Sequence, residues 1–135
     1  MIAGRPNVTV IRVSIIGPDY RPHTRGLLAW FLDQPLHTPV PGYTNWRWNG
    51  VTTLEWAQVA LEVVDRERRG ELLQPVTRPI SKYDLLLKFR DAYQTTHDIA
   101  PVSAPVAVDR TLVPTEERSP IDQQLTRLRE WYVRC

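Results

Sequence analysis

The chain has 135 residues, 42% of them hydrophobic and 24% charged, and its 17 Lys and Arg against 15 Asp and Glu leave a net charge of +2. That length carries one domain with a modest core, and the interspersed charges give no broad positive face, so nucleic acid is not an expected partner. No apolar run approaches the ~20 residues of a membrane span, and the opening Met1-Ile2-Ala3-Gly4-Arg5-Pro6 holds no signal-peptide core, so no membrane partner and a cytoplasmic setting are expected.

Residues 7–16 are β-branched and almost wholly apolar. Such a run predicts a strand buried on both faces, as in a parallel sheet covered by helices. Gly17-Pro18-Asp19 ends it, because proline donates no ladder bond and glycine permits the turn. A short helix is expected from Arg25 to Asp33; Leu27, Leu28, Trp30, Phe31 and Leu32 make it a buried element or a contact surface. Residues 34–50 read as irregular, with Pro35, Pro39, Pro41 and Gly42 ahead of Tyr43-Thr44-Asn45-Trp46-Arg47-Trp48-Asn49-Gly50. Thr52, with Glu55 at capping-box spacing, opens a long helix. Its apolar stripe is Leu54, Ala57, Leu61 and Val64, flanked by Trp56, Ala60 and Val63, with Gln58, Glu62 and Asp65 on the other side. Glu62 and Arg66 are spaced for a weak supporting pair, and Gly70 is the expected stop.

Residues 72–76 predict a short edge strand, since Pro75 does not suit a central one. Ser81, with Asp84 behind it, opens the next helix, whose inner face is Leu85, Leu86, Phe89 and Tyr93. Residues 95–118 are proline-rich and weakly patterned, with a short strand expected within 99–108. Ser119 as cap and Pro120 as first helical residue start the last helix, and Ile121, Leu125, Leu128 and Tyr132 follow its 3.6-residue period. The order is that of an α/β fold with few strands for about four helices. The apolar strand at 7–16 has no second strand of its length beside it, and an open strand of that kind invites aggregation. The expectation is that part of the sheet lies elsewhere.

Residues 12–19, Arg12-Val13-Ser14-Ile15-Ile16-Gly17-Pro18-Asp19, resemble a late sheet strand of the extended short-chain dehydrogenases/reductases. Residues 25–32 and 42–55 are similar to the dTDP-4-dehydrorhamnose reductase group, and Ile80-Ser81-Lys82-Tyr83-Asp84-Leu85-Leu86 and Asp109-Arg110-Thr111-Leu112 match that group's later helix and loop. The resemblance runs from about residue 8 to the C-terminus. It implies a partial Rossmann-type fold: residues 1–135 as the C-terminal, substrate-binding portion, with the N-terminal dinucleotide-binding domain absent. It further implies NAD(P) as cofactor of the complete enzyme, none for this chain alone, and a nucleotide-sugar as ligand. A separately encoded Rossmann-domain chain is a possible partner, and a stand-alone nucleotide-sugar-binding module is the alternative.

Two family signatures are missing from the sequence. Its six glycines form no Gly-x-Gly-x-x-Gly turn to seat a dinucleotide diphosphate, and it has no Tyr-x-x-x-Lys pair to hand over a proton. Tyr83 and Lys88 stand five residues apart, and at about 100° per residue their side chains diverge; they are rejected as a catalytic pair, and no catalytic residue is assigned. By the resemblance, Ser14 and Ile16 face the cofactor and Ile15 the substrate, at a strand end where ligands sit; the alternative is a core strand with a solvated end. Tyr43, Asn45, Trp46, Arg47 and Trp48 combine flat rings with amide and guanidinium donors, a set that can stack on a base and pair with a diphosphate. Equally, the tryptophans can pin the loop to the body while Asn49-Gly50 turns. The run Asp65-Arg66-Glu67-Arg68-Arg69 reads as a solvated face. The isolated His23, His37 and His97, and the lone thiol of Cys135, offer no metal set.

Overall fold

A computed structural model describes residues 4–19 and 26–134. The expectations for residues 1–3, His23, Cys135 and a helix start at Arg25 lie outside the described residues.

The run at 7–16 is not one long strand but two short ones, β1 (Val10–Ile11) and β2 (Ile15–Ile16). β1 pairs in parallel with β6 (Leu72–Leu73), and β2 with β5 (Val51–Thr52). Both sheets are two-stranded, so no strand lies on the second edge of residues 10–16 among the described residues. The expected burial on both faces is thereby corrected: Ile16 is 5% exposed but Ile15 is 53% exposed.

Residues 34–50 are more regular than their prolines foretell. β3 (Val40–Tyr43) pairs in parallel with β9 (Ile99–Val102). β4 (Trp46–Trp48) lies between β10 (Val108–Asp109), parallel, and β8 (Ile80–Ser81), antiparallel. Pro41 and Pro101 fit because β3 and β9 form a two-stranded sheet, in which each has an open edge that asks for no N–H. β7 (Pro75–Val76) likewise has one partner, β11 (Glu116–Glu117).

Four helices pack on these strands. α1 (Leu27–Leu32) buries Leu28 and Phe31. α2 (Thr53–Asp65) starts as its capping box requires, with the Glu55 N–H donating to Thr52 Oγ1 at 3.2 Å. Its facing differs from the sequence expectation. The buried positions are Glu55 and Val59, whereas Leu61 and Val64 of the apolar stripe are 63% and 71% exposed. Nor does Glu62 pair with Arg66; its carboxylate meets Arg118 at 3.0 Å. The helix ends before Gly70: Glu67 takes the left-handed conformation (φ 49°) and the Arg68 N–H closes on the Val63 carbonyl at 3.0 Å, a Schellman-type end made without glycine.

α3 (Lys82–Tyr93) is capped by Ser81, whose Oγ accepts from the Asp84 N–H at 3.0 Å. α4 (Ile121–Arg134) buries Ile121, Gln124, Leu125 and Leu128, and its inner face stops there, because Tyr132 is exposed. The core joins Leu28 and Phe31 of α1, Leu85, Leu86 and Phe89 of α3 and the inner face of α4, with Ile16, Val40 and Ile99 contributed by strands.

Candidate anion-binding site

A cavity of about 250 Å³ opens where Ser14 and β2 meet β4 and the first turn of α3. Six of the eight expected site residues line it: Ser14, Ile15 and Ile16 from the strand end, and Trp46, Arg47 and Trp48 from β4. Leu27, Lys82, Leu85, Val108 and Arg110 complete the lining.

The two segments are locked together. The Trp48 indole N–H donates to Ser14 Oγ at 2.7 Å, and the Val51 N–H to the Ser14 carbonyl at 2.9 Å. Gly50 makes this approach possible, since a Cβ there would run into the Ser14 carbonyl oxygen and the Trp48 ring. The floor is apolar, from Ile16, Leu27, Leu85 and the Trp48 ring, and the rim is cationic. The Arg110 N–H donates to the Arg47 carbonyl at 3.0 Å; Arg47 is in register with Asp109, so the Arg47 and Arg110 side chains leave the sheet on opposite faces. Neither takes part in an ion pair among the described residues. Asp109, between them in sequence terms, is occupied: the Thr111 hydroxyl and N–H donate to its Oδ1 at 2.7 and 2.9 Å and, with the nearby Arg47 charge, hold its carboxyl below the usual range. The Lys82 ammonium lies over three rings, 4.8 Å from Trp30, 5.0 Å from Tyr43 and 5.4 Å from Trp46, and burial pushes its pKa down. Three cations and no acid line the cavity, an arrangement that attracts an anion with an apolar or aromatic portion.

Two expected site residues lie apart. Tyr43 packs its ring on Trp46 at 4.8 Å and supports the site from behind. Asn45 lines a neighbouring open depression with Arg47, Ser81 and Lys88. Its amide is used within the chain, donating to the Ala104 carbonyl at 2.8 Å and accepting from the Ala104 N–H at 2.9 Å. The pinning role and the ligand role thus coexist in one loop, divided between residues. Lys82 and Arg110 escaped sequence reasoning, because they reach the cavity from far along the chain at no diagnostic spacing. Tyr83, beside Lys82, packs instead against Gly42.

His97 is buried between the Thr95 hydroxyl and the Gln34 carbonyl, each at 2.9 Å. No group of three or more His, Cys, Asp or Glu among the described residues is placed to hold a metal. Arg68 is the exception to a solvated charge run, with its guanidinium on Glu71 at 2.7 Å. No helix among the described residues is long and apolar enough to cross a membrane.

Two helix N-termini that could cradle a dinucleotide diphosphate are closed. The N-termini of α2 and α3 are filled by the Thr52 and Ser81 hydroxyls, and Glu55 and Asp84 in their first turns repel a phosphate.

No family model matches the chain, and no curated protein matches it by sequence. Solved structures do match its fold. A dTDP-4-dehydrorhamnose reductase from Clostridium acetobutylicum superposes with a TM-score of 0.69 at 13% identity, over 93% of this chain and 49% of that one. The dTDP-4-dehydrorhamnose reductase of Bacillus anthracis, solved in complex with NADP, gives a TM-score of 0.73 at 8% identity, over 91% of this chain and 48% of that one. A UDP-glucose 4-epimerase from Thermotoga maritima, solved with UDP-glucose, gives 0.62 at 17% identity, over 93% and 46%. The chain spans about half the length of the solved structures it matches. Its fold is α/β and Rossmann-related, like that of about half of each of these structures.

Proposed function

We propose that this chain is the substrate-gripping, C-terminal part of a sugar-nucleotide reductase of the dTDP-4-dehydrorhamnose reductase kind, and that its cavity takes the nucleotide-sugar. The observation that carries this is the meeting of Ser14 and β2 with an aromatic rim that bears three cationic residues and no acid. A nucleotide-sugar has the complementary parts: a diphosphate for the cations and flat or weakly polar surfaces for the rings. Lys82, Arg47 and Arg110 neutralise the diphosphate, and the Trp46 face offers a stacking surface. The Ser14 oxygen accepts from the Trp48 indole at 2.7 Å, which leaves its own proton to donate to a sugar oxygen.

Reduction is left to other residues. In the complete enzyme NAD(P)H supplies the hydride that reduces the keto group, but this sequence has neither the glycine-rich turn for its diphosphate nor the Tyr-x-x-x-Lys pair. Those parts are supplied by a dinucleotide-binding half, on the same or on a separate polypeptide. Incubation of the purified 135-residue chain with NADPH and a 4-keto-6-deoxy sugar nucleotide is expected to consume no NADPH above a protein-free control; consumption above it refutes this division of labour.

A second reading, a partner subunit for a separately encoded dinucleotide-binding chain, is supported by the open edge of residues 10–16 and the exposed Ile15. Co-expression with such a half tests it: recovery of both chains in one complex that reduces the keto sugar is the expected result, and two separately eluting chains is the contrary one.

A further inference from the structure

The chain draws its positive charge from arginine: of its 17 Lys and Arg, 15 are arginine, and Lys82 and Lys88 are the two lysines. Arginine keeps its proton in proteins, whereas a lysine amine can release one and then acts as a nucleophile. Lys82 is the lysine that lines the cavity walled by Ile15, Ile16, Trp46 and Trp48.

Lys82 is the first residue of α3, and rings from three other elements, Trp30, Tyr43 and Trp46, stand 4.8, 5.0 and 5.4 Å from its Nζ. They fix where the amine sits. As cation–π partners they favour the ammonium. A carboxylate would hold that form more firmly, but no ion pair among the described residues includes Lys82, and the other charged residues lining the cavity are Arg47 and Arg110. Burial works toward the neutral amine and lowers its pKa. Lys88 has a different setting: it lines an open depression together with an acid, Asp84, one helical turn away.

We propose that Lys82 is an imine-forming residue: its amine condenses with an aldehyde or ketone on a small, ring-bearing molecule that enters the cavity. The ammonium first gives one proton to water. The Nζ lone pair then forms a bond to the carbonyl carbon, and the carbonyl electron pair moves to the oxygen. The two remaining amine protons leave with that oxygen as water, and the C=N double bond closes. No oxidant, reductant or cofactor takes part. The capture does not rest on the nucleotide-sugar reading, and the two uses of the residue alternate, since an anion seated on Lys82 holds the ammonium form.

The test treats the full chain at neutral pH with salicylaldehyde, a flat aldehyde without phosphate. Borohydride then reduces any imine to a stable secondary amine, and peptide mapping by mass spectrometry locates it. Lys82 is expected to carry about five times the label of Lys88 in the folded chain, and equal label in urea, where the desolvating cavity is lost. Lys82→Arg keeps the cation and removes the amine; it is expected to lose the excess label and leave that on Lys88 unchanged. Equal labelling of the two lysines in the folded chain overturns the proposal. So does an excess on Lys82 that survives in urea, which traces the reactivity to local sequence. Near-ultraviolet circular dichroism checks the fold; if Lys82→Arg fails to fold, the comparison of folded and urea-treated parent chain decides alone. Salicylaldehyde carries no nucleotide, so either outcome leaves the nucleotide-sugar reading standing.

Discussion

Arg118 reaches Glu55 at 2.7 Å and Glu62 at 3.0 Å from the segment just before α4, and Arg127 takes the second oxygen of Glu55 at 2.9 Å. This cluster is what turns the acidic face of α2 inward. The Glu55 side chain is 5% exposed, so loss of its main partner strands a charge away from water. Arg118→Met is expected to lower stability by about 2 kcal/mol at neutral pH, read by urea denaturation; a change under about 0.5 kcal/mol contradicts it. Arg118 also acts on Glu62, whose carboxyl is held below its usual range mainly by their hydrogen bond. A carboxyl depressed in the folded state stabilises the fold above its unfolded pKa and loses that contribution as pH falls through the folded value. Stability should therefore decline from about pH 5 downward, and Arg118→Met should flatten that decline. An unchanged slope in the variant contradicts the assignment. None of this was visible at the spacing of Glu62 and Arg66, which is local, whereas Arg118 lies 56 residues away.

At the scale of elements, β4 is placed by the small residues that follow and precede it. Gly50 allows β2 and β5 to come together against the Trp48 ring, and Gly50→Ala should cost about 3 kcal/mol, because the obstructing Ser14 carbonyl is backbone and cannot yield; a Tm within a degree or two of the parent contradicts this. Asn49 is buried, donating to the Leu112 carbonyl at 2.9 Å and accepting from the Leu112 N–H at 2.8 Å. Asn49→Ala should cost about 2 kcal/mol and weaken thymidine diphosphate binding as well, since that tether holds the segment carrying Arg110. Unaltered affinity separates the tether from the site. Where local chemistry decides the structure, it was legible: the Thr52 and Ser81 caps and the halt at Gly17-Pro18 follow from side-chain hydroxyls and ring geometry. Where pairing partners decide it, it was not. Pro39, Pro41 and Gly42 read as breakers, yet β3 forms because β9, 59 residues on by register, offers its edge. The stripe on α2 was visible as a stripe; that Leu54 packs on the core while Leu61 and Val64 face outward was not, since periodicity marks a face without saying what lies against it.

Over the whole molecule, the edge of residues 10–16 has no second strand among the described residues, and Leu61 and Val64 of α2 are largely exposed, with Trp56 partly so. Surfaces of this kind are partner surfaces or aggregation sites, and the isolated chain is expected to self-associate in size-exclusion chromatography. A Leu61→Glu, Val64→Lys variant should elute closer to monomer with no loss of Tm; a parent chain that is already a cooperatively melting monomer contradicts the need for another half. The chain also holds a three-cation cavity beside β2 and no glycine-rich turn for a dinucleotide diphosphate, which is the division that the proposed function rests on. Calorimetric titration of the purified chain with dTDP-glucose and, in parallel, with NADPH tests that division directly. Saturable heat from the sugar nucleotide and none from NADPH is the predicted result; binding of NADPH with a silent sugar nucleotide would contradict it.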